Sequence, residues 1–293
     1  MKTGDNMRAS HNPPTSNLNE QASDADAFDA QMLDPLSAFD EAPKDRHFVT
    51  ALARGVEILR CFTPRETLLG NQDLATKTGL PKATVTRLTH TLTRLGCLKR
   101  QVQTGKYQLD VGVMGIGYAL LSNLSVRASS HPLMEEMAAY AQASVAMAAR
   151  DRLQMVYLDV AYGKANMSTR RHIGTYLPMH LTSMGRACLA AMPENEREFI
   201  LDHLRATHQD DWPMIRKGLE RAFRDYADFG YCMSIGEWQR DINSVAVPMI
   251  HAQHGLLAFN CGGPSFHLPR EKLEEDIGPR LVNMVNNIEA ATR

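Results

Sequence analysis

The chain has 293 residues, of which 44% are hydrophobic and 22% charged, with a formal net charge of −1. At about 150 residues per domain this length predicts two globular domains, and no apolar run reaches the roughly 20 residues of a membrane span. The opening residues lack the basic-then-apolar order of a secretion signal, and Cys61, Cys97, Cys188, Cys232 and Cys261 show no paired zinc spacing, so a cytoplasmic protein with reduced, buried thiols is predicted.

The near-zero charge hides an asymmetry. Residues 1–46 carry nine acidic against four basic side chains, residues 47–110 ten basic against four acidic, and residues 111–293 eighteen basic against twenty acidic. A small basic block between two acidic ones is the footprint of nucleic-acid contact, and also what a solvated surface can show, so a fold has to decide between them.

Residues 1–46 are rich in Asn, Asp, Ser, Ala and Pro without a period that could bury a face, which predicts a disordered tail. Within it Phe28, Met32, Leu33, Leu36 and Phe39 could form a transient contact helix. From Val49 the period becomes helical: Leu52, Val56, Leu59 and, at the edge, Phe62 form a stripe that Thr63-Pro64 ends. A second helix fits Asn71–Thr78 with Asn71 as N-cap and Leu74 and Ala75 inward. Gly79-Leu80 then turns the chain, Pro81 suits the first turn of a third helix to Leu95, and Gly96 stops it. Cys97–Arg100 and Lys106–Leu109 read as a hairpin. Three helices and a hairpin predict a winged helix-turn-helix over residues 47–110.

The third helix separates two faces. Val85, Leu88, Leu92 and Leu95 share one stripe, while Ala83, Thr86, Arg87, His90 and Arg94 lie opposite. No acidic residue occurs from Lys82 to Arg100, whereas an ordinary solvated helix carries mixed charges. Its first half therefore offers Lys82, Ala83, Thr84, Thr86, Arg87 and His90 to DNA: Arg matches guanine, Thr a thymine methyl, Lys a phosphate. Arg100 and Lys106 in the wing are phosphate candidates.

Residues 111–130 are apolar despite Gly112, Gly115 and Gly117 and predict a linker helix; the glycines follow no strand and lack the G-x-G-x-x-G order of a nucleotide loop. Residues 131–293 predict an α+β domain, with strands at Val145–Arg150, Gln154–Val160, Thr169–Ile173, Ser244–Ile250 and Leu256–Cys261. Helices are predicted at His131–Ala143, Ser183–Met192, Glu194–Arg205, Met214–Phe229 and Arg270–Ala291.

An enzymatic reading finds little support. Leu181 stands where a G-x-S-x-G elbow around Ser183 needs glycine, and Ser183-Met184-Gly185-Arg186 misses S-x-x-K. His251 and His254 are spaced for a metal on a helix but fit better in a loop beside Gly255, with no carboxylate to complete a set. His172 and His180 could bind an anion, but surface or supporting roles fit them better. No catalytic constellation, metal or cofactor is implied.

Ala53-Arg54-Gly55-Val56-Glu57-Ile58-Leu59, Asp73-Leu74-Ala75, Thr78-Gly79-Leu80-Pro81-Lys82-Ala83-Thr84-Val85-Thr86-Arg87-Leu88 and Gly105-Lys106-Tyr107-Gln108-Leu109 occur in an order that resembles the isocitrate lyase regulator (IclR) family of bacterial transcriptional regulators. Leu177-Pro178-Met179-His180 with Met184-Gly185-Arg186-Ala187, then Glu237, Val245-Ala246-Val247-Pro248 and Gly262-Gly263-Pro264, extend it over residues 49–290. The resemblance implies a GAF/PAS-like effector domain, homodimers or homotetramers on palindromic double-stranded operators, and a small carboxylate or aromatic acid as effector. By position its pocket contacts fall on Ser183, Met184, Ser234, Ser244, Asn260 and Gly262. The N–H groups at a helix start near Ser183 and Met184 suit a carboxylate. Arg186 stands where many members have lysine, and Asn260-Cys261-Gly262 replaces a more serine-rich strand, so ligand identity does not carry over. The expected function is that of an effector-responsive, sequence-specific DNA-binding regulator.

Overall fold

The computed structural model describes residues 47–163 and 171–292. The tail predicted over residues 1–46 lies outside them. The chain forms two compact units that divide between Gly112 and Val113.

The first unit contains α1 (Thr50–Arg60), α2 (Asn71–Thr78), α3 (Lys82–Arg94) and the antiparallel strands β1 (Leu98–Arg100) and β2 (Tyr107–Leu109). Its core gathers Ile58, Phe62, Leu69, Leu74, Val85, Leu92, Leu98 and Tyr107. The inward face of α1 differs from the expected stripe. Gly55, Glu57 and Ile58 are buried, whereas Leu52 is 68% and Val56 41% exposed. Helix α1 turns the face carrying Gly55 and Ile58 inward, and a β-carbon at Gly55 would meet Leu88 of α3 at an ordinary contact distance of 3.9 Å. Helix α2 starts as predicted, but Gly70 is its N-cap, its N–H donating to Asp73 Oδ2 at 2.9 Å. Gly79, at φ +67°, ends α2 in the left-handed region that glycine tolerates without strain. Leu69 joins Tyr107 by reciprocal backbone bonds of 3.0 and 2.8 Å, which fastens the hairpin to the helices.

The linker expected as one helix over residues 111–130 is two helices, α4 (Val111–Asn123) and α5 (Ser125–Ala141). Ser122 Oγ and Asn123 Nδ2 donate to the carbonyls of Tyr118 and Ala119, four residues back, and Leu124 leaves helical geometry with its side chain buried. Such side-chain bonds compete with the helical ladder. The helix expected at His131–Ala143 is the second part of α5, so that Pro132 lies inside it. No single helix among the described residues is long and apolar enough to cross a membrane.

The second unit is built on a six-stranded antiparallel sheet in the order β5-β4-β3-β8-β7-β6: β3 (Ser144–Asp151), β4 (Gln154–Tyr162), β5 (Tyr176–Pro178), β6 (Cys232–Ile235), β7 (Ile242–His251) and β8 (Gly255–Pro264). Helices α6 (Ser183–Ala191), α7 (Glu194–Thr207) and α8 (Trp212–Phe229) pack on one face, and α5 on the other with a C-terminal helix that runs as α9 (Arg270–Lys272), a π turn (Leu273–Ile277) and α10 (Gly278–Ala291). Pro279 has no N–H to continue the α ladder, which accounts for the wider turn just before it. Side chains alternate between the faces. Phe259 and Cys261 of β8 enter the core with α5 and α10, while Ala258 enters the core with α6 and α8. Full burial of a side chain such as Phe259 contributes about 1.5–3 kcal/mol.

Strands β5 and β6 were not foreseen. The strand expected at Thr169–Ile173 falls partly outside the described residues, and Arg171, His172 and Ile173 belong to no strand. They lead into β5 through a turn closed by Thr175 N–H donating to the His172 carbonyl at 3.0 Å.

Candidate functional site

In the first unit α3 presents the predicted exposed face. Val85, Thr89 and Leu92 are buried beneath it and Leu88 is half-buried. Thr89 belongs inside because its hydroxyl donates to the Val85 carbonyl at 2.9 Å, which satisfies the buried oxygen. Leu95, expected in the same stripe, lies beyond the last helical turn and is 68% exposed. On the outer side Lys82, Ala83, Thr86, Arg87 and His90 are exposed and Thr84 is half-buried. Thr86 is already engaged: its hydroxyl donates to the Lys82 carbonyl at 2.9 Å and accepts from Asn71 Nδ2 at 3.1 Å. Among the described residues Arg87 has no side-chain partner, so its planar fork of donors is available.

The two wing cations differ from that arrangement. Arg100 Nε donates to the Gly105 carbonyl at 3.3 Å across the hairpin, and Lys106 Nζ lies 3.6 Å from Asp73 Oδ2. The Asp73 carboxyl is held below the usual range chiefly by the Gly70 N–H and further by Lys106. Lys106 thus ties the wing to α2, while its exposure still leaves it within reach of a phosphate.

The second unit holds a cavity on the α6 side of the sheet. Its lining includes Ser144, Tyr157, Val160, Arg171, Thr182, Trp238, Ser244, Asn260 and Gly262. The strand register explains the space. Tyr162, Ser144, Gly262, Ser244 and Ser234 stand side by side across five strands, so three adjacent positions at the middle of the row carry no large side chain. A β-carbon at Gly262 would lie 3.1 Å from Ser244 Cβ, inside the room that the row leaves. The cavity leaves about 50 Å³ to the centres of water-sized atoms, several times the roughly 10–15 Å³ that one water needs.

A bulge in β4 turns Tyr157 into this space. Ala148 pairs with Tyr157 and Met147 with Asp159, leaving Leu158 unopposed. The alternation slips by one, so Tyr157 and Val160 share the cavity face while Leu158 and Asp159 look to the other. Burial, opposed by the Arg171 charge and an Asn260 hydrogen bond, pushes the Tyr157 hydroxyl pKa up and keeps it a neutral donor. On the far face Asp159, 1% exposed, accepts from His131 Nδ1 at 2.8 Å and pairs with Arg127 Nε at 3.3 Å, which fastens α5 to β4.

Of the pocket residues inferred from sequence, Ser244, Asn260 and Gly262 line the cavity. Ser183 is fully buried behind them, its hydroxyl donating to Ser244 Oγ at 2.8 Å. Ser234 donates to the Leu181 carbonyl at 2.7 Å, and Met184 packs among Ala146, Ala187 and Leu189 in the core. Neither lines the cavity. The start of α6 is capped by Thr182, whose hydroxyl accepts from the Gly185 N–H at 3.3 Å and donates to the Pro178 carbonyl at 2.7 Å. Sequence reasoning missed Ser144, Tyr157, Arg171, Thr182 and Trp238. The rarity of tryptophan and its place after the quoted Glu237 were the available signals for Trp238.

The remaining polar groups are structural. Arg186, expected as a departure from the family pattern, is 1% exposed and donates to Glu237 through two nitrogens at 2.9 and 2.7 Å. Burial alone would raise the Glu237 pKa, but the hydrogen bonds and charge of Arg186, with Arg221, bring it below the usual range. His251 Nδ1 accepts from the N–H groups of Gln253 and His254, so this pair staples the β7–β8 turn and forms no ligand set. Four of the five cysteines are buried, and burial pushes Cys61, Cys188 and Cys261 up to about 12.

Two family models match the chain: the IclR helix-turn-helix domain over residues 51–102 and the bacterial transcriptional regulator IclR C-terminal domain over residues 118–290. The chain is 37% identical over 248 residues to the HTH-type transcriptional regulator TsaQ1/TsaQ2 of Comamonas testosteroni, spanning 84% of this chain and 89% of that protein. It is 28% identical over 247 residues to the Pca regulon regulatory protein of Pseudomonas putida, spanning 81% and 82%. A crystal structure of an IclR family transcriptional regulator from Brucella abortus is 64% identical, with a TM-score of 0.81 over 85% of this chain and 95% of that one. The α+β arrangement of a winged helix-turn-helix followed by an IclR C-terminal domain is thus shared with proteins named as regulators rather than enzymes. The chain belongs to the IclR family of bacterial transcriptional regulators, and its helix-turn-helix is a DNA-binding domain.

Proposed function

We propose that this regulator reads a specific operator through the exposed face of α3 and that a small organic acid in the second unit changes its hold on that operator. Residues 47–110 serve as the DNA-binding domain, α4 as the linker and the remainder as the effector-binding domain. The observation that carries the DNA half is the acid-free outer face of α3. Arg87 is the base reader, with His90, Thr84 and Ala83 beside it, and Lys82, Arg100 and Lys106 meet phosphates. Thr86 orients Asn71 and contributes its methyl group. The effector half is supported by the cavity, where Ser244 and Asn260 supply hydrogen bonds over the gap left by Gly262. Ser183 and Ser234 fix the surrounding loop and strands, while Met184 acts through packing.

The protein works in the cytoplasm as a homo-oligomer. All thirteen residues of α4 are uncharged and none is buried, and Phe48, Val49, Leu52 and Val56 leave a second apolar surface uncovered in the first unit. Exposed apolar surface of this kind is what a second copy covers. Anisotropy titration of DNA from its own promoter, with and without a panel of aliphatic and aromatic acids, tests the whole reading. Sequence-specific binding that one acid shifts is the expected result. Binding equal on promoter and random DNA would overturn it.

A further inference from the structure

On the reading of α3 as the helix that enters the groove, we infer that Thr86 recognises a thymine through its 5-methyl group. Asn71, at the start of α2, is the residue that positions Thr86 for this contact.

A threonine has two ways of reading a base pair. Its hydroxyl can hydrogen-bond a base edge, or its methyl can lie against the methyl of thymine. In Thr86 the hydroxyl is already committed. Its single proton goes to the Lys82 carbonyl at 2.9 Å, one turn back along α3, and its oxygen accepts from Asn71 Nδ2 at 3.1 Å. With that proton spent inside the protein, Thr86 has nothing to donate to the acceptors of guanine, adenine or thymine in the major groove. The oxygen branch faces the helix backbone and α2, so the γ-methyl is what the exposed Thr86 offers outward. Thymine alone carries a methyl group on its major-groove edge, and an apolar contact there favours it over the other bases.

Asn71 holds this arrangement from the neighbouring helix. Its Oδ1 lies 3.3 Å from the hydroxyl of Thr89, which is fully buried one turn further along α3. The amide thus spans Thr86 and Thr89 and ties the first residue of α2 to the recognition face. Threonine divides between two rotamers in a helix, and the Asn71 bond selects the one seen here. Removing the amide leaves the fold its other bonds. Thr86 still donates to Lys82, Thr89 donates to the Val85 carbonyl at 2.9 Å, and Asn71 is only half-buried. Asn71→Ala therefore tests reading rather than folding.

The experiment uses the full chain and a labelled duplex from its own promoter. Each thymine of the protected stretch is replaced in turn by deoxyuridine, which removes only the 5-methyl group, and binding is followed by anisotropy. At one thymine or more the replacement should weaken wild type by about fourfold, the contribution of one buried methyl group. Thr86→Ser keeps the hydroxyl and loses the methyl, and should bind the two duplexes equally. Thr86→Val keeps the methyl and should still prefer thymine. Asn71→Ala should reduce the preference in the wild-type background and leave it unchanged in Thr86→Val, whose two branches are both methyl groups and need no orienting. Specific binding in which no thymine methyl matters, or a preference that survives Thr86→Ser, overturns the role of Thr86 and leaves α3 as the reading helix. Binding equal on promoter and random DNA overturns the reading of α3 itself. An Asn71→Ala variant that keeps the full preference, or that loses it equally in both backgrounds, overturns the positioning role of Asn71 alone.

Discussion

Acidification isolates the contribution of one buried ring. His180 is 5% exposed, its Nδ1 has no partner among the described residues, and its ring lies 4.1 Å from that of His208. Burial first, then the charges of His208 and Arg186, pushes its pKa down to about 3. An unfolded histidine titrates near 6.5, so between about 6.5 and 3 the unfolded chain binds a proton that the folded chain refuses. Stability is therefore complete above pH 6.5 and falls as the pH drops. At pH 5 the proton has been refused over about 1.5 units, which costs about 2 kcal/mol, a sizeable share of the 5–15 kcal/mol of a typical domain. Urea unfolding of wild type and His180→Leu, at equal protein concentration and at pH 8 and 5, measures the difference. Wild type should lose about 2 kcal/mol more than the variant over that interval. His251, also held below its ordinary value by burial, adds loss of the same sign to both proteins and cancels. Equal losses would show that the folded protein accepts the proton at His180 and that the ring is not confined as the structure has it.

Arg87→Ala should weaken operator binding by about 1–3 kcal/mol and flatten the preference at one base pair, whereas Lys82→Ala should weaken all sequences alike; competition anisotropy with a substituted operator series separates the two. Asp159→Asn should destabilise the second unit by about 2 kcal/mol, less than for a fully buried pair because His131 and Arg127 are each 38% exposed, and a denaturant midpoint unchanged from wild type would contradict that. Gly185→Ala, which must displace the Met179 backbone, should lower the melting temperature by several degrees, while Gly174→Ala, with nothing within 4 Å of its β-carbon, should cost only the strain of its φ of +84°.

The helix-turn-helix was legible because its signals are local. The Asn71–Thr78 helix, the Gly79 turn and the Pro81 start are each written in neighbouring residues, and the structure reproduces them within a residue or two. The α1 face was misread for a reason of the opposite kind. A stripe of Leu52, Val56 and Leu59 is the natural buried side of an isolated helix, but α1 packs with Gly55, Glu57 and Ile58 inward, on a neighbouring face. A buried glycine and a buried glutamate add no apolar signal to count. The linker break at Leu124 was hidden in the same way, since apolar composition continues across it and only the back-bonding of Ser122 and Asn123 marks the end of α4.

The cavity was harder still, because its defining residues meet only through sheet register. Ser144, Ser244 and Gly262 are far apart in sequence and unremarkable singly; they make a space only where three strands set them in one row. Tyr157 enters that space through the bulge at Leu158, and strict alternation from Val160 would have sent it to the opposite face. Position 184 shows the converse. A methionine at a helix start beside the expected pocket is an attractive ligand contact on paper, yet Gly185 brings that turn against Met179 and leaves Met184 fully buried in the core. The residues with the strongest case for touching a ligand are thus those whose neighbours across the sheet are small, and that property belongs to pairs of strands rather than to any stretch of sequence.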